Sequence, residues 1–141
     1  AIIVADCADE AGIPLPQPGD ATLAILRKHV PDFGAVRNPC DATAQATRYP
    51  DTLLQSAKAL LQDPAYGMLL IPLSRVHNVQ LFLDIGKLGR EAGKPVGIVW
   101  LSQWLEGPGI AELEADPGLC IFRSVQSCLS AVAAWRDMAL Q

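Results

Sequence analysis

Met68-Leu69-Leu70-Ile71, Val96-Gly97-Ile98-Val99-Trp100-Leu101 and Leu119-Cys120-Ile121-Phe122 are three short apolar runs without a polar residue at every second position. A strand with one wet face alternates, whereas a strand covered on both faces does not. Between the first and second runs, roughly Val76 to Ala92 reads as a helix closed by Gly93, a residue suited to the left-handed position beyond a helix end. Between the second and third, Ile110 to Ala115 predicts a short helix ended by Asp116-Pro117-Gly118. Beyond the third, Ser124 can cap a helix over Val125 to Leu140, with Leu129, Val132, Ala133, Trp135 and Met138 along it. Strands and helices in this order predict parallel strands joined by right-handed crossovers.

Working outward toward the amino end, Ile2 to Ala11 predicts a helix stopped by Gly12, with a strand over Ile2 to Ala5 as the rival on propensity. Ile13-Pro14-Leu15-Pro16-Gln17-Pro18 is extended, since three prolines exclude a helix. Asp20 is placed to cap a helix over Ala21 to Val30, with Leu23, Ile25, Leu26 and Val30 facing inward and Pro31 ending it. Asp32 to Arg48 reads as a loop. Pro50 suits the first turn of a helix running Thr52 to Leu61, whose inner face is Leu53, Leu54, Ala57, Leu60 and Leu61 and which closes at Asp63-Pro64. No repeat, low-complexity stretch or linker interrupts residues 1–141, which therefore read as a single domain. The expected fold is α/β: a doubly wound, mostly parallel sheet with helices on both faces, flavodoxin-like in layout.

The composition narrows the partners. Half of the residues are hydrophobic, 18% are charged, and the net charge is −4. The 11 basic residues are scattered, so nucleic acid is a poor fit, because phosphate neutralisation needs clustered Lys and Arg. No apolar run reaches the roughly 18 residues of a membrane span, and no leader pattern opens the chain. The four cysteines, Cys7, Cys40, Cys120 and Cys128, match neither zinc nor CxxC spacing. Cys7, Cys120 and Cys128 fall in apolar segments and are expected as buried thiols, and Cys40 lies in a loop. A reducing, cytoplasmic setting fits them. The opening Ala1-Ile2-Ile3-Val4 has no methionine, which points to a fragment or a processed form.

In an open α/β sheet, ligands bind beyond the carboxyl ends of the strands, where helix amino ends point. Those turns are Pro72-Leu73-Ser74-Arg75-Val76, Ser102-Gln103-Trp104 and Arg123-Ser124-Val125, with Arg37-Asn38-Pro39-Cys40-Asp41-Ala42-Thr43 as a further candidate. None carries GxGxxG, GxxxxGK[ST] or GxSxG. Ser74 is a natural N-cap, and Arg75 beside it could hold an anion. Asn38, Pro39, Cys40 and Asp41 have the chemistry of a turn that bonds its own backbone. His29 precedes Pro31 at a helix end, where an imidazolium suits the dipole. His77 is expected in the first turn of the long helix. Neither histidine has a Ser or Cys partner in sequence, so no catalytic residue is assigned.

The run Ala5-Asp6-Cys7-Ala8-Asp9-Glu10-Ala11-Gly12-Ile13-Pro14-Leu15-Pro16, then Arg37 to Thr43, then Leu60-Leu61-Gln62-Asp63-Pro64 ahead of a strand, resembles NDP-forming acyl-CoA synthetases. Gly93-Lys94-Pro95-Val96 and Ser124 to Trp135 continue the likeness, which covers nearly the whole chain. The part resembled is the last flavodoxin-like domain of the CoA-ligase portion, similar to the carboxy-terminal domain of the succinyl-CoA synthetase β subunit. The resemblance implies a subdomain of a ligase that forms acyl-CoA from a carboxylic acid, CoA and a nucleoside triphosphate, inactive when isolated. It implies no nucleophile in this domain, but helix amino ends facing a phosphohistidine carried by another domain. It implies no cofactor bound by this domain alone, with CoA, ATP and Mg belonging to the full enzyme. The implied partners are CoA-binding, phosphohistidine and ATP-grasp domains, and a homo-oligomer is compatible with them. The implied phosphate-side residues are Ser74, Arg75 and Val76, with Asn38 and Asp41. The family's Gly-Gly-Ile-Val helix start falls on Leu73-Ser74-Arg75-Val76 and keeps only Val76; the lost glycines restrict close backbone approach. Family members also begin with a strand and a Gly-rich turn, both absent here, which implies a missing first strand. The alternative is a non-enzymatic flavodoxin-like module that binds an acyl-CoA or a partner protein, and an FMN electron carrier is a third option.

Overall fold

The computed structural model describes residues 2–32, 34–42 and 49–141. Its centre is a three-stranded sheet of β1 (Leu69–Leu73), β2 (Val96–Trp100) and β3 (Leu119–Phe122), in the order β1-β2-β3. Both pairings are parallel, and Ile71, Ile98 and Ile121 lie in one line across the sheet. All five residues of β2 are buried, as a strand without alternation requires.

Six helices surround this sheet among the described residues: α1 (Ile2–Glu10), α2 (Asp20–His29), α3 (Pro50–Gln62), α4 (Val79–Ala92), α5 (Ile110–Glu114) and α6 (Val125–Ala139). The two-residue period of the strands sorts them into layers. Ile71, Val96, Ile98 and Leu119 face Ala57 and Leu61 of α3, Leu81, Phe82 and Ile85 of α4, and Leu113 of α5. Val99, with Leu70 and Phe122 beside it, faces Val4 of α1 and Cys128 and Val132 of α6. Gly97 belongs to this second face. A Cβ there would come within 2.8 Å of Leu70 and 3.1 Å of Phe122, so glycine lets the outer strands' side chains close over the central one. The helix α2 packs outside α3 through Leu26, Val30 and Ala59. The expected α/β class, parallel sheet and helices on both faces are therefore present. A doubly wound sheet also reverses its strand order, and these three strands advance in one direction only.

Several boundaries differ from those expected. The helix rather than the strand forms over Ile2–Glu10, and Gly12 closes it at φ 68°, as Gly93 closes α4 at φ 67°. Asp20 is the first helical residue of α2 and not its cap; Gly19 holds that place, with its N–H donated to Asp63. The buried stripe of α2 is Thr22 and Leu26, and Ile25 turns outward. The long helix starts at Val79 and not near Val76, because the Asn78 side chain takes the capping bond from Leu81 N at 3.1 Å. Ser74 is therefore not its cap. In contrast, Ser124 caps α6 as expected, accepting from Ser127 N at 3.0 Å.

β1 extends past Ile71 through Pro72 to Leu73. Leu69 N donates to Pro95 O at 3.0 Å, and Leu101 N donates to Leu73 O at 2.8 Å. Leu69, Ile71 and Leu73 thus turn their main-chain groups toward β2. Main-chain direction alternates along a strand, so Leu70 and Pro72 turn theirs to the opposite edge, where no strand pairs among the described residues. Pro72 lacks an N–H at a place where none is used, which is why proline is tolerated in this strand.

Candidate functional site

The parallel sheet gives the molecule two unlike ends. At the amino end, Asp63 follows α3 and is buried. Its carboxylate accepts from Gly19 N at 2.9 Å and from Ala65 N at 2.8 Å, and Lys94 Nζ donates to its main-chain carbonyl at 2.7 Å. The hydrogen bond from Thr22, followed by those from Ala65 and Gly19, holds the Asp63 carboxyl below the usual carboxylate range. Nearby, Tyr66 Oη and Asn38 Nδ2 both donate to Pro16 O, at 2.7 and 3.0 Å. Burial, with Asp63 adding to it, pushes the Tyr66 phenol up to about 12.

At the carboxyl end, the turn after β1 carries Ser74, Arg75 and His77, all exposed. Arg75 forms no ion pair or hydrogen bond with any described residue. Val76 is half-buried and lies near Gly109, whose φ of 89° opens α5. The turn after β2 presents Trp104, 65% exposed, whose carbonyl accepts from the indole of the buried Trp100 at 3.0 Å. After β3, Arg123 meets Glu114 through two bonds of 2.6 and 2.8 Å. The amino ends of α4 and α6 open on this rim, with one amide of each taken by Asn78 and Ser124.

The residues singled out in sequence are thus separated. Ser74, Arg75 and Val76 sit at the carboxyl end, in a turn that precedes α4 rather than in its first turn. Asn38 and Asp41 sit at the amino end. Five residues of β1 stand between, roughly 17 Å of extended chain. The Asn38 side chain and main chain are engaged with Pro16 and Gln17. Asp41 pairs its main chain with Ala35 in both directions, while the Asn38 side chain donates to Pro16 O and not to the turn's own backbone. Thr43, the last residue of that candidate loop, lies outside the described residues, as does part of the loop expected over Asp32 to Arg48.

What joins the two ends is a cleft of about 600 Å³ along the free edge of β1. Val4 and Ala8 of α1 and Leu53 and Ala57 of α3 line it, Asn38 and Asp41 border one end, and Arg75 borders the other. Neither apolar periodicity nor any motif marks this cleft in the sequence. The available signal was Pro72, since proline inside a strand indicates an edge.

Burial, then Asp41, pushes Cys40 up to about 11, and burial does the same to Cys128. Cys128 is buried as expected, whereas Cys7 is half-buried and Cys120 is exposed; β3 is the other edge strand, so its cover is thinner there. Among the described residues no three His, Cys, Asp or Glu side chains are grouped to hold a metal ion, and no step through magnesium is assigned to this chain. No described helix is long and apolar enough to cross a membrane. The arrangement defines an α/β protein with a three-stranded parallel sheet, a cationic turn on its carboxyl rim and an open apolar edge. Set against protein-family models, curated proteins and solved structures, the chain matches none of them.

Proposed function

We propose that this chain is a flavodoxin-like subdomain of an NDP-forming acyl-CoA synthetase, lacking the first strand of that fold and contributing a phosphate-facing rim rather than a nucleophile. The observation that supports it most is the convergence on one rim of all three strand carboxyl ends and the amino ends of α4 and α6. Free amides at helix amino ends stabilise a phosphoryl dianion without a bound cation. In this reading Ser74 and Arg75 border a phosphate delivered on a histidine of another domain, and Asn38 and Asp41 stiffen the far end of the scaffold. CoA, ATP and magnesium are bound by the partner domains, in the cytoplasm. The test is the full reading frame and its neighbours: absence of both a CoA-binding domain and an ATP-grasp domain would sink the reading.

A second reading, a non-enzymatic module that binds an acyl-CoA or a partner protein, is favoured by one observation. The turn Leu73-Ser74-Arg75-Val76 lies ahead of α4, so its amides are not those of the helix start. Thermal-shift titration separates the two. The ligase subdomain by itself gives no rise in Tm with CoA or nucleotide, while an acyl-CoA-binding module gives a saturable rise with acyl-CoA alone.

A further inference from the structure

We infer that the cleft along β1 docks the extended apolar carboxy-terminal tail of a partner polypeptide, added as a fourth strand parallel to β1 with its terminal carboxylate on Arg75. The inference goes beyond either reading of the function; under the first, the family's missing first strand is the rival occupant of this edge, and protection of Leu70 in the longer polypeptide without peptide would overturn the inference while leaving that reading intact.

The main chain of β1 specifies the kind of occupant. The Leu70 N–H and the carbonyls of Leu70 and Pro72 face the free edge and make no bond among the described residues. Leu70 and Pro72 are half-buried in an apolar cleft. An alkyl chain laid there would cover those groups unsatisfied, which is costly. An extended peptide satisfies them, donating to Leu70 O and Pro72 O and accepting from Leu70 N–H. The walls fit the same occupant. Side chains of an inserted strand point alternately to the two faces, where Val4 and Ala8 receive one set and Leu53 and Ala57 the other.

Charge sets the direction. Arg75 borders the cleft at the carboxyl end of β1, exposed and without a partner among the described residues, and His77 stands next to it. A strand parallel to β1 delivers its carboxylate there. An antiparallel strand would deliver its ammonium to the guanidinium. The opposite end is bounded by the bonds among Pro16, Asn38 and Tyr66; of the other charged side chains lining the cleft, Asp41 repels a carboxylate and Arg136 is already bonded to Gly12 O and Asp137. A second copy of the chain is a poor occupant, because its own β1 edge is recessed between α1 and α3.

The test titrates the 141-residue chain with fluorescein-labelled Val-Thr-Val-Ile-Val as the free acid and as the carboxy-terminal amide. Anisotropy should saturate with the free acid, and the Leu70 amide should shift and gain protection from hydrogen exchange. The amide peptide should bind roughly 10-fold more weakly. Arg75→Gln should lower affinity for the free acid by the same factor and leave the amide peptide unchanged. Because Arg75 makes no bond with any described residue, this variant should keep its thermal melt, which is checked in parallel. Three results overturn the inference: no saturable binding up to millimolar peptide, binding that leaves Leu70 unprotected, or equal affinity for acid and amide. Protection of Leu70 in peptide-free chain, rising with its self-association in sedimentation, also overturns it.

Discussion

At the amino end of the sheet Asp63 gathers the start of α2 and the approach to β1 through its carboxylate, and the Lys94 side chain through its main-chain carbonyl. At the carboxyl end Ser74, Arg75, His77 and Trp104 stand exposed. The same three strands connect the two ends, so the difference lies in what the loops do with their polar groups. One end uses them to hold the elements together. The other leaves Ser74, Arg75 and His77 to solvent, where a ligand or another domain can reach them. Parallel α/β sheets divide labour in this way because helix amino ends, with their free amides, collect on one rim.

The contrast can be broken most directly at Asp63. Replacing it with Ala removes the acceptor for Gly19 N and Ala65 N and should cost about 1–3 kcal/mol, measured by urea denaturation. Acid should act through the same group. Its folded carboxyl titrates below the ordinary value of about 3.9, so its stabilisation is complete above about pH 4 and is lost as pH falls through the lower folded value. Stability measured downward from pH 5 should fall in that window, and Asp63→Asn should flatten the slope; an unchanged slope would remove Asp63 from the account. On the opposite rim, Asn78→Ala deletes the cap of α4 and should cost about 1 kcal/mol. Ser74→Ala, which deletes no bond described here, should lie within about 0.5 kcal/mol of the parent. If Ser74→Ala proved as costly as Asn78→Ala, the start of α4 at Val79 would be wrong.

The sheet was legible because Met68 to Ile71, Val96 to Leu101 and Leu119 to Phe122 are continuous apolar runs, and because Gly12, Gly93 and Ser124 mark helix ends in ways that depend only on local geometry. The amino end was not legible. Asp63 reads as a helix stop beside Pro64, and its bonds to Gly19 and Lys94 span 44 and 31 residues, distances no local pattern reports. The start of α4 was misplaced because Ser74 and Asn78 are both competent caps, and sequence alone does not choose between neighbouring acceptors. For the candidate site, residue types identified Arg75 as an available cation. They did not show that Asn38 and Asp41 lie at the far end of the same cleft, since that depends on how Pro16 and Tyr66 meet.

Arg136 of α6 donates to Gly12 O at 2.8 Å across 124 residues, and Val4 shares a cluster with Val99 and with Cys128 and Val132 of α6. In chain order α1 precedes every other described element, and its partner α6 follows them all. Until α6 is made, the Val4 side of α1 lacks the surface it packs against, so α1 docks only after the sheet and the helices between them have been synthesised.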